Sequence, residues 1–265
     1  MFRTLFAACL VLTASSARAD EVALYAAGSL RDALSAVVAD FTAKTGVHVQ
    51  TTFGPSGLLR EKIESGDKAD IFASADMASP LKLREEGKAA GVVMFTRNKL
   101  CAFAGPDAGL TTDNFRRRIV DPAVKIGTST PKADPGGDYT WAMFHAIDKD
   151  EPGAFATLDA KAQKIVGGTT TASGGPDPIA AAFQSSQINV MIGYCSGADQ
   201  RREATPGVNV VAVPQAYDMG PEYGLALAST ENRNAVALML AILSPEGQET
   251  LARYGFAPVG VMAKP

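Results

Sequence analysis

The chain reads as an α/β protein built from two doubly wound lobes. Three observations predict this. Short apolar runs of strand length alternate with apolar residues at helical spacing. The rhythm breaks near residues 97–100 and again near 213–223, and small turns rich in glycine or serine recur between a strand and the helix after it. Strands separated by helices imply parallel pairing through right-handed crossovers. With 265 residues and 46% apolar composition, the chain can bury one large core or two of ordinary size.

Residues 1–19 differ in character from the rest of the chain. Arg3 supplies a basic start, residues 5–12 are apolar, and Ala17-Arg18-Ala19 is a small-x-small cleavage pattern, as in a removed export signal. The alternative is an uncleaved anchor, which needs about 20 apolar residues; this run gives way earlier to Ser15, Ser16 and Arg18. Cleavage removes Arg3 and Arg18 from the 25 basic residues and none of the 28 acidic ones, leaving a formal charge of −5. Such a balance argues against a nucleic-acid partner.

In order, residues 22–26 form a short apolar run ending at Gly28-Ser29, and Leu30, Leu34, Val37, Val38 and Phe41 mark a helix closing at Gly46. Residues 47–51 alternate as a strand, Gly54-Pro55-Ser56-Gly57 is a turn, Leu58, Leu59 and Ile63 mark a helix, and residues 69–73 are a third strand. Residues 100–104 and 124–127 read as further strands, with Trp141, Phe144 and Ile147 on a helix after the Gly-Pro cluster at 135–137. Strands at 190–194, 208–213 and 223–228 come next, then an apolar helix at 235–243. A closing helix over 245–254 begins with Ser244 before Pro245, the expected N-cap and first helical position. The expected division is 20–98 with 218–265 as lobe 1 and 99–217 as lobe 2.

Four strand-to-helix turns carry the polar chemistry: Ala27-Gly28-Ser29, Gly54-Pro55-Ser56-Gly57, Pro135-Gly136-Gly137 and Ser173-Gly174-Gly175-Pro176-Asp177. Helix N-termini expose unpaired N–H groups and a positive dipole end, so several converging at the carboxyl ends of a doubly wound sheet make an anion site without lysine or arginine. Each serine alone also reads as an ordinary cap, and Ser29 with Asp32 three residues on forms a near capping box. Asp70 and Asp76 read as a strand-end residue and a helix cap rather than paired carboxylates, and residues 217–223 as a turn or a rim of the cleft.

Enzyme signatures are missing. His48 and His145 are isolated, and no zinc motif, P-loop, G-x-G-x-x-G or G-x-S-x-G occurs; Leu58 stands where the last pattern needs glycine. No cofactor and no metal ligated directly by side chains is expected. A hydrolase would have to assemble Ser56 with His145 and an aspartate from distant parts of the chain. After signal removal two cysteines are left, Cys101 and Cys195, and spacing alone leaves a bridge and two buried thiols equally open.

The segments Ala26-Ala27-Gly28-Ser29-Leu30, Phe53-Gly54-Pro55-Ser56-Gly57-Leu58, residues 69–76 (ADIFASAD) and Arg97-Asn98-Lys99-Leu100 resemble, in order and spacing, the molybdate-binding periplasmic proteins of ABC transporters. The likeness covers nearly the whole mature chain, more closely in the first half. It implies a type II periplasmic-binding-protein fold, no catalysis, and a monomer that delivers molybdate or tungstate to a membrane permease. It further implies an oxyanion held by Ser29 and Ser56, by backbone donors near Gly136 and Asp177, and by the Tyr194 hydroxyl. Pro176 and Pro178 depart from the family pattern, since proline has no N–H to donate, and so does Cys195-Ser196-Gly197-Ala198-Asp199 after Tyr194. Sulfate, phosphate or a larger metal chelate are the alternative cargoes. The resemblance places Cys101 and Cys195 on strands of one lobe near the interlobe side, which favours a disulfide.

Overall fold

The computed structural model describes residues 21–167 and 177–259. The expected signal at 1–19 and the turn at 173–176 lie outside them.

The first lobe opens with β1 (Val22–Ala27), a single tight turn at Gly28–Leu30, and α1 (Arg31–Thr45). Gly46 ends α1 in a left-handed conformation, φ 74°, its N–H closing on the Thr42 carbonyl. Then come β2 (Val49–Gly54), α2 (Ser56–Glu64), β3 (Ile71–Ser74), α3 (Ala78–Glu85) and β4 (Gly91–Arg97). Asn98 and Lys99 carry the chain across to β5 (Leu100–Ala104) and a second unit: α4 (Phe115–Val120), β6 (Ile126–Ser129), α5 (Pro135–Asp150), α6 (Ala154–Lys161), β7 (Gln163–Val166), α7 (Pro178–Gln184), β8 (Val190–Tyr194), α8 (Ala198–Ala204) and β9 (Asn209–Ala212). The chain then returns as β10 (Glu222–Leu227), α9 (Arg233–Leu243), α10 (Pro245–Arg253) and the two-residue β11 (Ala257–Pro258).

Two separate sheets result. One runs β11-β4-β10-β3-β1-β2 and the other β7-β6-β8-β5-β9. β1 pairs parallel with β2 and β3, and β6 with β7 and β8, as strand-helix-strand crossovers require. The sheets are nevertheless mixed, not parallel throughout. β10 runs antiparallel to β3 and β4, and β5 antiparallel to β8 and β9. Both come after an interlobe connection rather than a crossover helix, so nothing forces them into the parallel direction. Every residue of β3, β5 and β6 is buried, as central strands covered on both faces must be.

Each sheet has its own core. Leu24, Leu34, Ile71, Phe95, Leu225 and Leu238 pack in the first; Leu100, Phe115, Ile126, Phe144, Leu158 and Val190 in the second. Tyr194 packs against both. Ser244 caps α10 as its sequence predicts, accepting from the Gly247 N–H at 3.1 Å. β5 and β8 match their expected bounds, whereas β2 and β6 begin two residues later than alternation suggests. The sequence reading passes over β4, α4, α6, β7 and α8. α8 has a single buried residue, Arg201, so it carries no apolar stripe to read. Among the described residues no helix is long and apolar enough to cross a membrane.

Candidate functional site

Ser29 lies within the Gly28–Leu30 turn and does not cap α1 through its side chain. Its Oγ instead lies 3.0 Å from Tyr223 Oη. Asn98 Nδ2 donates to the same tyrosine oxygen at 3.2 Å, and Asn98 Oδ1 accepts from the backbone of Lys99 and Ser196, which fixes the amide orientation. Tyr223 thus accepts from Asn98 and can donate its own O–H to Ser29 Oγ, leaving the serine O–H to donate outward. Tyr223 is fully buried, and burial pushes its phenol far above the usual range. It stays neutral, as this donation requires.

Ser56 is the first residue of α2 and is 1% exposed. Its Oγ accepts from the Ala75 N–H at 3.1 Å, which again leaves the hydroxyl proton available. Tyr194 ends β8, with its ring set edge-on to that of Tyr223 at 5.6 Å. The Tyr194 hydroxyl is buried without a hydrogen-bond partner among the described residues, and burial holds it neutral. An orphaned buried donor costs about 1–3 kcal/mol until something accepts from it.

Ser29, Ser56 and Tyr194 line one cavity of about 180 Å³ between the two sheets. A larger cavity of about 380 Å³, near Lys125, Phe183 and Asn189, is built from the second unit alone. The cavity at Ser29, Ser56 and Tyr194 is lined from both halves, so a molecule bound there contacts both.

Gly136 and Asp177 are not among the cavity-lining residues, and each stands one step behind a charged side chain that is. The Gly136 N–H donates to Asp134 Oδ1 at 2.8 Å, so Asp134 caps α5 and occupies the donor that the resemblance assigns to the anion. Asp177 caps α7 through Ile179 and Ala180 and forms a 2.6 Å ion pair with Arg201 of α8, which is 8% exposed. Asp134 and Arg201 both line the cavity, with Ser129 and Gln200. Burial among neighbouring carboxylates pushes Asp134 up to about 6, against the Gly136 N–H that favours its charged form. Sequence reasoning missed both charged residues. Asp134, directly before Pro135, carried a visible N-cap signal; Arg201 carried none.

Asp70 and Asp76 form no pair. Asp70 ties the Ala23 N–H and Asn232, while Asp76 receives Ser74 and Ser79 at the start of α3. Residues 217–223 brace the second crossing: Tyr217 donates to Asp150, and Asp218 accepts from the Leu100 N–H. His145 is exposed and stacked on Phe155 at 3.9 Å, apart from Ser56. Cys101 and Cys195 are joined by a disulfide, with Cα atoms 5.0 Å apart. Among the described residues no cluster of three or more metal-ligating side chains forms.

Residues 22–257 match the family model of bacterial extracellular solute-binding proteins. An uncharacterized protein of Pasteurella multocida is 33% identical over 89% of this chain and 98% of its own length. The molybdate-binding protein ModA of Escherichia coli is 26% identical over 92% of both chains. The solved sulfate-binding protein SubI of Mycobacterium tuberculosis superposes with a TM-score of 0.73 at 21% identity, over 90% of this chain and 87% of that one. These are binding proteins or proteins of undescribed role, and the match extends across both sheets and the cavity between them. The chain belongs to the bacterial extracellular solute-binding protein family.

Proposed function

We propose that this chain is the periplasmic binding component of an ABC transporter, capturing a small tetrahedral oxyanion between its lobes and presenting it to a membrane permease. Lobe 1 comprises residues 20–98 and 218–265, and lobe 2 residues 99–217. The observation that carries the reading is the convergence of Ser29 and Ser56 from one lobe with Tyr194 from the other on one small cavity, each with a hydroxyl free to donate. A fully ionised oxyanion presents acceptors only, so it is matched by donors alone. Groups from both lobes on one ligand make that ligand the bridge that favours closure.

Molybdate, with tungstate, is the leading cargo because relatives that match over nine tenths of the chain bear the name molybdate-binding protein. A second reading keeps the role and changes the cargo to sulfate, phosphate or a larger metal chelate. It is favoured by Asp134 and Arg201, which make the cavity more charged than a set of neutral donors. A thermal-shift panel of the four anions tests both, since a tight ligand raises the melting temperature by mass action. Stabilisation by molybdate or tungstate at the lowest concentration supports the first reading. Stabilisation by sulfate or phosphate alone moves the cargo, and silence across the panel rejects a tetrahedral oxyanion.

A further inference from the structure

Asp134 is out of place in a pocket for an anion. Ser29, Ser56 and Tyr194 bring neutral donors, and the Arg201 guanidinium is matched by Asp177. Asp134 lines the same cavity and forms no ion pair among the described residues. The groups whose electrostatics bear on it are carboxylates and neutral phenols. Asp138 lies on its own helix, Asp76 comes from the turn after β3, and Tyr194 and Tyr223 approach from β8 and β10, both neutral. Ser129 and the Gly136 N–H are the groups that favour its charged form, and desolvation outweighs them.

An ionised Asp134 would set acceptor against acceptor and like charge against like when a dianion enters. A neutral Asp134 offers an O–H, the same kind of donor as the two serines and the tyrosine. We infer that Asp134 is a ligand-contacting residue that holds a proton against the bound oxyanion, so that a fully ionised dianion enters the cavity together with one proton from solvent. The only bond formed is the carboxyl O–H, and no other group changes its protonation. The cap of α5 survives in either state, because Gly136 donates to a carboxyl oxygen in both. The inference rests on the cavity being the anion site.

The test is calorimetric titration of sulfate, which stays fully ionised, and of molybdate between about pH 5.5 and about pH 7.5, with proton uptake read from buffers of different ionisation heat. Wild-type affinity is expected to fall by up to about tenfold per pH unit above the carboxyl's midpoint, with close to one proton taken up per anion at the upper end. D134N keeps a capping side chain and an N–H donor. Its binding is expected to be flat with pH and tighter than wild type at the upper end. D138N is expected to retain the slope. A flat wild-type profile, a slope that survives D134N, or one that vanishes in D138N overturns the assignment. S56A separates the two levels: if it weakens binding while the wild-type profile is flat, only the role of Asp134 falls. If S56A leaves affinity unchanged, or neither anion binds at any pH, the cavity reading and this inference fall together.

Discussion

Gly57 at the start of α2 donates its N–H to the Ala133 carbonyl, 3.0 Å away in the other lobe. The approach is so close that a Cβ at Gly57 would overlap the Lys132 carbonyl oxygen and come within 2.8 Å of the Ala133 carbonyl oxygen. Only glycine permits this contact, and it lies one residue from Ser56 and one from Asp134. Gly57→Ala is expected to force the lobes apart while leaving lobe 1 folded, since alanine is the better helix former by roughly 1 kcal/mol. Small-angle scattering should show a larger radius of gyration, and calorimetry a weaker anion affinity, with the helical circular dichroism intact.

Ser56→Ala removes both a cavity donor and the acceptor for the buried Ala75 N–H. Anion affinity should fall by about 1–3 kcal/mol, and Ser29→Ala should act in the same direction and range. Dissociation constants unchanged in both variants would place the ligand elsewhere.

Tyr223→Phe leaves the Asn98 amide without one of its two acceptors and removes the group that orients Ser29. A stability loss of about 1–3 kcal/mol is expected, seen as a melting temperature lower by ~2–4 °C per kcal/mol for a chain of this size. Weaker anion binding should accompany it.

Asp134 also predicts a pH effect on stability. Its folded carboxyl lies at about 6, above its unfolded value of 3.8. The protonated form is favoured in the fold, so its contribution is fully present below the unfolded value and is lost as pH rises through the folded one. Asp134→Asn should therefore melt higher than wild type near neutral pH, and the gap should close in acid. A constant gap across that window would count against a buried, shifted carboxyl.

The Cys101–Cys195 bridge closes a separation of 94 residues. Its reduction should cost lobe 2 about 2–5 kcal/mol, chiefly through the freedom returned to the unfolded chain. Denaturant midpoints with and without a thiol reductant measure it, and coincident curves would show that the bridge contributes nothing.

Much of this was legible in the residues because it is local. The strands at 100–104 and 190–194, the Ser244-Pro245 helix start and the glycine stop at Gly46 each depend on a few neighbours in sequence. Ser29 and Ser56 were visible as turn serines, although Ser29 caps nothing and works through Tyr223, 194 positions away. Arg201 was illegible for a physical reason. In Ala198-Asp199-Gln200-Arg201-Arg202-Glu203-Ala204 it looks like one more solvated charge, and only the packing of α8 against α7 and the cavity buries it beside Asp177. The mixed strand directions were hidden likewise, being set by which lobe the chain has just left.

The place of β10 between β3 and β4 has a consequence for how the protein is made. Those two strands are not paired with each other, and the strand that joins them begins only at Glu222. An emerging chain therefore cannot complete the first sheet until nearly all of it is available, whereas every strand of the second lies within residues 100–212. The second lobe can mature first, as a contiguous unit. Until Glu222–Leu227 is in place, β3 and β4 each lack the neighbour that joins them.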